Sequence, residues 1–185
     1  MKRVTPGLEK LLANPEKYLC GSTLGLVLNQ TSLTSDGSSS ITQFCESSRF
    51  KLKTLFAPEH GLYGIDQDMA RIIDGTDPIS GIPVKSLYGA NASSLNPSPD
   101  LLNKIDNLVF DIQDVGSRYY TFIYTLAKCM QACAESNTRM IVCDRPNPIN
   151  GLKIEGNLVK EAFLSFVGQY PLPNRHGMTV GELAR

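Results

Sequence analysis

Four short segments of the chain are apolar along almost their whole length, and polar or turn-forming residues follow each of them. They are residues 23–29, 52–57, 108–114 and 140–144. A strand that is apolar on both faces is typical of a parallel sheet, which helices cover on both sides. Parallel strands also need long crossover connections, and these are usually helical. The segments therefore predict an α/β fold: a mostly parallel sheet with helices on both faces.

The stretches between these segments carry helix signals. Residues 5–12 are predicted to form a short helix with Thr5 as its N-cap, and residues 41–48 and 100–105 two more. The strongest signal lies at 119–136, where apolar residues recur at helical spacing. They are Phe122, Ile123, Leu126, Met130 and Cys133. No glycine-rich G-x-G-x-x-G loop follows the first predicted strand, so the sequence does not indicate a nucleotide cofactor.

Composition and charge narrow the class of partner. The 185 residues are best interpreted as one domain, 1–185, with 18 basic and 18 acidic side chains and no long run of either sign. Such a balance does not create the basic surface that binds nucleic acids or anionic membranes. No apolar stretch approaches the roughly 20 residues that cross a bilayer. We therefore expect neither a nucleic-acid partner nor a membrane partner.

The cysteines and the N-terminus predict a cytoplasmic location. Five cysteines are present, an odd number, and no histidine lies near Cys129 and Cys133 in the sequence to complete a zinc site. Small apolar core residues in a reducing compartment explain this pattern better. The basic start of the chain, residues 1–7, is not followed by the apolar region that a signal peptide needs.

Acid–base residues follow the predicted strand at 52–57 directly. Pro58 ends the apolar run, and Glu59 and His60 come next, before a glycine-containing stretch. In open α/β sheets, ligands bind outside the carboxyl ends of the strands. The segment therefore predicts part of a functional site. The alternative is a turn punctuated by proline, with two solvated polar residues.

Two further predicted strands end in acidic residues. Asp111 and Asp114 belong to one of them, and Asp144 is followed by Arg145 at the end of the other. Because the carboxyl ends of parallel strands lie on one edge of a sheet, these clusters are expected to share a rim with Glu59. A rim with several convergent polar groups predicts a ligand site.

Each of these residues also has a structural alternative. Asp111 is either a site residue or an internal acid that holds loops together. Asp114 forms either an ion pair with Arg118 or part of a substrate clamp. Arg145 either binds a ligand or anchors a neighbouring loop, and Asp144 suits a cap of the turn that follows it equally well.

Two kinds of chemistry fit this set of residues. A glycosidase needs a carboxylic acid that protonates the leaving oxygen and a second group that assists water or the substrate, and Glu59 is the strongest candidate for the acid. A metal-dependent hydrolase would instead use Asp111, Asp114 or Asp144 together with His60. The sequence contains no serine in a nucleophile elbow and no histidine-rich metal triad.

Five blocks of the sequence carry a resemblance to a known family. In chain order they are LFAPEHGLYG, GIPVKSLYG, LVFDIQDVGSRYYTFIYTL, VCDRPNPINGLKIEG and SFVGQYPLPNRHGMTVGELA. Together they resemble the exo-β-N-acetylmuramidases of peptidoglycan turnover, over nearly the whole chain from about residue 7 to about residue 184. The resemblance implies a Rossmann-like N-terminal domain followed by a smaller C-terminal domain, with the active site between them.

The resemblance also implies the reaction and the site residues. Members of the family remove β-1,4-linked N-acetylmuramic acid from the non-reducing end of peptidoglycan fragments, without a metal or another cofactor. Carried over by position, Glu59 is the suspected catalytic acid, and His60 and Asp114 accompany it as catalytic residues. The substrate-binding candidates are Arg118, Tyr120, Asp144, Arg145, Asn147, Glu155, Arg175 and His176.

Two roles within this set are more specific. A basic residue would suit the lactyl carboxylate of muramic acid, and Arg118 and Arg175 are the candidates. The second catalytic group is Glu155, Asp114 or a group of the substrate itself. Retention or inversion of the anomeric configuration depends on how far apart the two carboxyl groups lie in space.

The sequence departs from the family pattern at several places. Tyr63 stands where the family usually has a basic residue, Lys85 replaces a usual aromatic residue, and Asn157 replaces a usual proline. The sequence also stops at Arg185, where the family continues into its second domain. We therefore expect an exposed apolar surface that meets a separate C-terminal half or promotes self-association. The alternative function is an inactive remnant, or a domain that binds muramyl sugars without hydrolysing them.

Overall fold

The computed structural model describes residues 4–67, 70–89 and 91–185. The strands in these ranges are β1 (Thr23–Leu28), β2 (Lys51–Ala57), β3 (Gly75–Thr76), β4 (Pro83–Ser86), β5 (Asn107–Asp111) and β6 (Arg139–Val142). The helices are α1 (Gly7–Ala13), α2 (Pro15–Tyr18), α3 (Ser40–Glu46), α4 (Pro99–Leu102), α5 (Phe122–Ser136) and α6 (Val180–Leu183), with 3₁₀ turns at Ala92–Leu95 and Glu161–Phe163. The start of the N-terminal segment used to predict location lies outside the described residues.

The strands form one sheet in the order β3-β4-β2-β1-β5-β6. All neighbouring pairs are parallel except β3 and β4, which are antiparallel. In the centre of the sheet, Leu26 of β1 is paired with Leu55 on one side and Val109 on the other. The mostly parallel sheet is thus confirmed, and the carboxyl ends of its parallel strands share one edge.

Alternate residues of the central strands enter two separate cores. Leu26 points to the core that contains α1 and α3, while Val27 points to the core that contains α4 and α5. Helices therefore cover both faces of the sheet, as the uninterrupted apolar pattern of the strands predicts. Among the described helices, none is long and apolar enough to span a membrane.

Several predicted boundaries differ from the observed ones for tertiary reasons. Helix α1 has Pro6 as its N-cap rather than Thr5, and the N–H of Gly7 donates to the carbonyl of Asp144 at 2.7 Å. Helix α5 begins at Phe122, because the preceding residues form a turn that contacts the loops of the rim. Strand β5 ends at Asp111, and the next free N–H groups find side-chain partners such as the hydroxyl of Thr31, which accepts from Gln113.

Candidate active site

Glu59 is buried just beyond the carboxyl end of β2. Its side chain belongs to a residue that is only 6% exposed. The hydroxyl of Thr121 donates a hydrogen bond to Glu59 Oε2 at 2.7 Å. Because Thr121 immediately precedes α5, this contact joins the end of a strand to the start of a helix that follows a different strand. The carboxyl group is therefore held in a defined position.

The backbone around Glu59 has an unusual conformation. His60, Gly61 and Gly64 all have positive φ, at 68°, 76° and 67°. A non-glycine residue in the left-handed region is uncommon, and such residues cluster at functional sites. At Gly64 the positive φ disfavours any side chain, and a Cβ atom would also displace the end of the Gln30 side chain, 2.5 Å away. The loop therefore combines strain with close packing.

The imidazole of His60 supports this loop. Its Nδ1 lies 2.9 Å from the backbone carbonyl of Asp66, which can only accept a hydrogen bond. The proton of the neutral ring therefore sits on Nδ1. Within the described residues the contact is local to the loop, so His60 is placed beside the catalytic candidate as a supporting residue.

Asp114 and His176 meet at the end of β5. Both residues are buried, and Asp114 Oδ2 lies 3.2 Å from His176 Nε2, at an angle outside hydrogen-bond geometry. The N–H of Met178 donates to His176 Nδ1 at 3.2 Å, so the proton of the neutral ring lies on Nε2, the nitrogen nearer the carboxylate. Asp114 Oδ2 also accepts from Gly116 N–H at 2.8 Å, whereas its Oδ1 is buried without a partner among the described atoms.

Asp111 and Arg145 form a buried ion pair between β5 and the end of β6. Arg145 Nε and Nη2 donate to the two carboxylate oxygens at 2.9 and 3.0 Å, and Nη2 also donates to the carbonyl of Leu33 at 2.9 Å. Burial raises the pKa of Asp111 to about 6, an effect that the neighbouring guanidinium opposes. Both side chains are thus engaged in holding the rim together, which is the structural alternative for each.

Asp144 and Asn147 bind the last turn of the chain to the rim. Asp144 Oδ1 accepts from Gly181 N–H at 2.7 Å, and its Oδ2 accepts from the Thr179 hydroxyl at 3.0 Å. Asn147 Nδ2 donates to the carbonyl of Met178 at 2.9 Å. These contacts hold residues 178–181, which follow His176 in the chain, so Asp144 and Asn147 act within the fold and help to position His176.

The two candidate arginines are tied to the loops that cover the rim. Arg118 Nη1 donates to the carbonyls of Leu172, at 2.6 Å, and Asn157. Arg175 Nη1 lies 2.8 Å from Glu155 Oε2, and its Nη2 donates to a backbone carbonyl. The guanidinium of Arg175 lowers the pKa of Glu155. Glu155 is therefore already paired with a cation.

Comparison with known proteins assigns this architecture to a family. Residues 24–185 match the family described as exo-β-N-acetylmuramidase NamZ, N-terminal. The chain belongs to the NamZ family. A peptidoglycan β-N-acetylmuramidase NamZ of Bacillus subtilis is 43% identical over 182 residues, which are 98% of this chain and 43% of that protein.

Two crystal structures of DUF1343-family proteins from Bacteroides fragilis have the same fold. One aligns with a TM-score of 0.87 and 42% identity over 100% of this chain and 45% of its own. The other aligns with a TM-score of 0.80 and 32% identity over 98% of this chain and 46% of its own. The chain thus spans less than half of the length of each of these relatives.

Three contacts in this NamZ-family domain involve residues that sequence reasoning did not select. Thr121, the partner of Glu59, lies 62 positions away from it, inside the helix predicted at 119–136. The hydroxyl of Tyr63, one of the departures from the family pattern, donates to Asp77. Lys85, another departure, pairs with Asp74 at 2.8 Å. No pattern in the sequence indicates these pairings, because each depends on the folded path of the chain.

In this domain the structure brings the polar candidates together at one edge of the sheet, but their surroundings differ. Glu59, Asp114 and His176 are buried: Glu59 accepts a hydrogen bond from Thr121, and Asp114 lies 3.2 Å from His176. Asp144 and Arg145 are buried or engaged within the fold. Tyr120 is half exposed beside Thr121. Within the described residues, no three His, Cys, Asp or Glu side chains are grouped as metal ligands.

Proposed function

We propose that this chain is the catalytic half of an exo-β-N-acetylmuramidase, with Glu59 as the general acid. One observation carries the proposal: a buried carboxyl group at the carboxyl end of a parallel strand, held by Thr121 in a strained loop, in a chain of the NamZ family. The Bacillus subtilis relative supplies the substrate class, the peptidoglycan glycan. The residue to be released is N-acetylmuramic acid at the non-reducing end.

The proposed chemistry is acid–base cleavage of a glycosidic bond. Protonated Glu59 gives its proton to the glycosidic oxygen as the bond from that oxygen to the anomeric carbon breaks. A water oxygen then bonds to the anomeric carbon, and a second group takes the proton of that water. We assign this second role to Asp114, because one of its oxygens has no partner among the described atoms, whereas Glu155 is paired with Arg175.

Two residues fit the binding of the muramic acid unit. Arg118 uses Nη1 for two carbonyls, which leaves its other guanidinium nitrogens for the lactyl carboxylate of the sugar. Tyr120 presents a half-exposed ring next to the partner of Glu59, and an amphipathic ring of this kind suits a sugar face. We therefore favour Arg118 over Arg175, whose nitrogens Nη1 and Nη2 both have partners in the protein.

A chromogenic β-linked muramyl substrate tests the role of Glu59. We expect Glu59→Gln to reduce N-acetylmuramic acid release by about 10²- to 10⁴-fold, because it removes the transferable proton and keeps the shape of the side chain. Glu135→Gln, at an exposed position on α5, is the matched control and keeps full activity. Equal activity of Glu59→Gln and the unaltered protein would refute the assignment.

A second candidate function is binding of muramyl sugars without hydrolysis. The observation that favours it is Arg118, whose guanidinium keeps donors for the lactyl carboxylate independently of any proton transfer by Glu59. Calorimetry with N-acetylmuramic acid distinguishes the two functions: binding without product release supports the second, and release that Glu59→Gln abolishes supports the first. Arg118→Gln is expected to weaken binding in both cases.

We also propose that a further polypeptide, equivalent to the remaining length of the relatives, covers one apolar surface of this domain. Exposed large apolar side chains are concentrated in residues 149–170 and at Tyr119. In this segment they include Leu152, Ile154, Leu158, Phe163, Leu164 and Val167. Surfaces of this kind mark interaction sites. A groove of about 380 Å³ lies between Tyr119, Leu158 and Phe163.

Co-expression with a separately encoded C-terminal half of a NamZ protein tests this interaction. Phe163→Asp should abolish co-purification, whereas Ile79→Asp, at an exposed residue outside the segment, should leave it unchanged. Assembly of the 185-residue chain with itself, lost in Phe163→Asp, would support self-association through the same surface instead. A cytoplasmic location stays a prediction, which fractionation of cells that express the natural gene would test.

A further inference from the structure

A buried aspartate forms a fixed point next to the loop that carries Glu59. Asp77 is 1% exposed. Ser80 donates to its Oδ2 through the backbone N–H at 2.7 Å and through the hydroxyl at 2.5 Å. The backbone of Asp77 is fixed as well, because its N–H donates to Ile82 and its carbonyl accepts from Gly81. These contacts leave Oδ1 of the carboxylate for a different partner.

Tyr63 is that partner. It lies in the same loop as Glu59, and its hydroxyl donates to Asp77 Oδ1. Burial, followed by the hydrogen bond and the charge of Asp77, raises the pKa of Tyr63 to about 12. The phenol therefore keeps its proton at neutral pH and remains a donor. The contact joins the far end of the loop to the turn at residues 77–80.

The loop 58–64 depends on such an attachment because its backbone is strained. His60, Gly61 and Gly64 have positive φ, and a strained segment persists only where its surroundings hold it. At its beginning the loop is held by β2 and by the contact from Thr121 to Glu59. In the middle, Leu62 is buried in the core. Residues 63–67 are exposed, so Tyr63 is well placed to secure the end of the loop.

We propose that the hydrogen bond from Tyr63 to Asp77 is a positioning contact, which keeps the loop 58–64 closed and thereby holds the Glu59 carboxyl group beside Thr121. Tyr63 does not touch the substrate in this proposal. Its effect on catalysis rests on the proposed function of Glu59, whereas its effect on the loop does not. The two effects can therefore be measured separately.

Three variants test the contact. Tyr63→Phe removes only the hydroxyl and leaves the ring in place. Tyr63→Arg provides a longer side chain whose guanidinium can pair with the buried carboxylate, so it should restore the attachment. Tyr18→Phe is the matched control, because the Tyr18 hydroxyl has no hydrogen-bond partner among the described residues.

Hydrogen exchange provides the readout that does not need catalysis. The N–H of Gly61 donates to the carbonyl of Pro58 at 3.0 Å and so reports whether the loop is closed. We expect its exchange to be about tenfold faster or more in Tyr63→Phe, unchanged in Tyr18→Phe, and close to that of the unaltered protein in Tyr63→Arg. Unchanged protection of Gly61 in Tyr63→Phe would overturn the proposal.

Steady-state kinetics on the muramyl substrate provides the second readout. A displaced acid slows the chemical step, so kcat should fall by about tenfold in Tyr63→Phe with little change in KM, and Tyr63→Arg should recover it. A fall in kcat with unchanged Gly61 exchange would contradict the positioning role. If the unaltered protein releases no sugar, the proposed function fails, and the exchange experiment still decides whether Tyr63 holds the loop.

Discussion

The loops that follow β2 and β6 each contain, near their start, an acidic residue next to a residue that can carry a positive charge, but the two acids have different surroundings. After β6, the side chains of Asp144 and Arg145 are engaged by Gly181, Thr179, Asp111 and Leu33 within the protein. After β2, the backbone takes up left-handed conformations, and Glu59 is buried and accepts a hydrogen bond from the hydroxyl of Thr121, which comes from another element. An acid at the end of a strand is therefore not by itself a sign of catalysis. The partners that the fold supplies decide its use.

The largest effect expected from this comparison is on stability, at the β6 side. Arg145→Met should lower the free energy of unfolding by about 3–5 kcal/mol, because it leaves the charge of Asp111 buried without its partner. Urea unfolding measures the change. Arg139→Met, at an exposed position of β6, should have little effect.

A second variant distinguishes a structural role of Arg145 from substrate binding. The double substitution Asp111→Leu with Arg145→Met removes both charges and should recover most of the lost stability. If the double variant also keeps its KM for the muramyl substrate, Arg145 acts only within the fold. A raised KM in a stable double variant would show that Arg145 also takes part in substrate binding.

The next effect, on activity, lies at the β2 side. Thr121→Val keeps the shape of the side chain but removes the donor to Glu59, which should lower kcat by about tenfold or more. Thr138→Val is the control, because the buried hydroxyl of Thr138 donates to the carbonyl of Leu102 in α4. Equal kcat values for the Thr121→Val and Thr138→Val variants would show that Thr121 does not support the acid.

A smaller effect is expected where the rim meets the end of the chain. The Thr179 hydroxyl accepts from Glu182 N–H at 3.2 Å as part of a capping box on α6, and it donates to Asp144 at 3.0 Å. Thr179→Ala should therefore cost about 1 kcal/mol, as the loss of a helix cap does. Thermal unfolding measures this loss of stability. His176 lies three residues before Thr179, so a loss of activity in a variant that is still folded would show that this segment also positions site residues.

These regions also show which parts of the molecule can be predicted from sequence. The sheet follows from uninterrupted apolar strands such as β1 and β5, since only a layer between two sets of helices buries both of their faces. The shared rim follows from parallel strands. The different surroundings of Glu59 and Asp144 cannot be predicted from the sequence. Both residues follow an apolar strand, and their partners, Thr121 and Gly181, are distant in sequence. Helix starts differ for the same reason, as the contact from Gly7 to Asp144 shows.

The smallest effect concerns pH. The folded-state pKa of Tyr63, about 12, lies above the ordinary value of 10, so its contribution to stability is complete below about pH 10 and is lost as the pH rises through about 12. Tyr63→Phe cannot lose this contribution, so its stability should fall less steeply in that range. Tyr124, whose pKa burial also raises to about 12, is present in both proteins and cancels in the comparison. Urea unfolding below and within this range measures the difference, and parallel curves for the two proteins would mean that the phenol of Tyr63 does not hold the loop after β2.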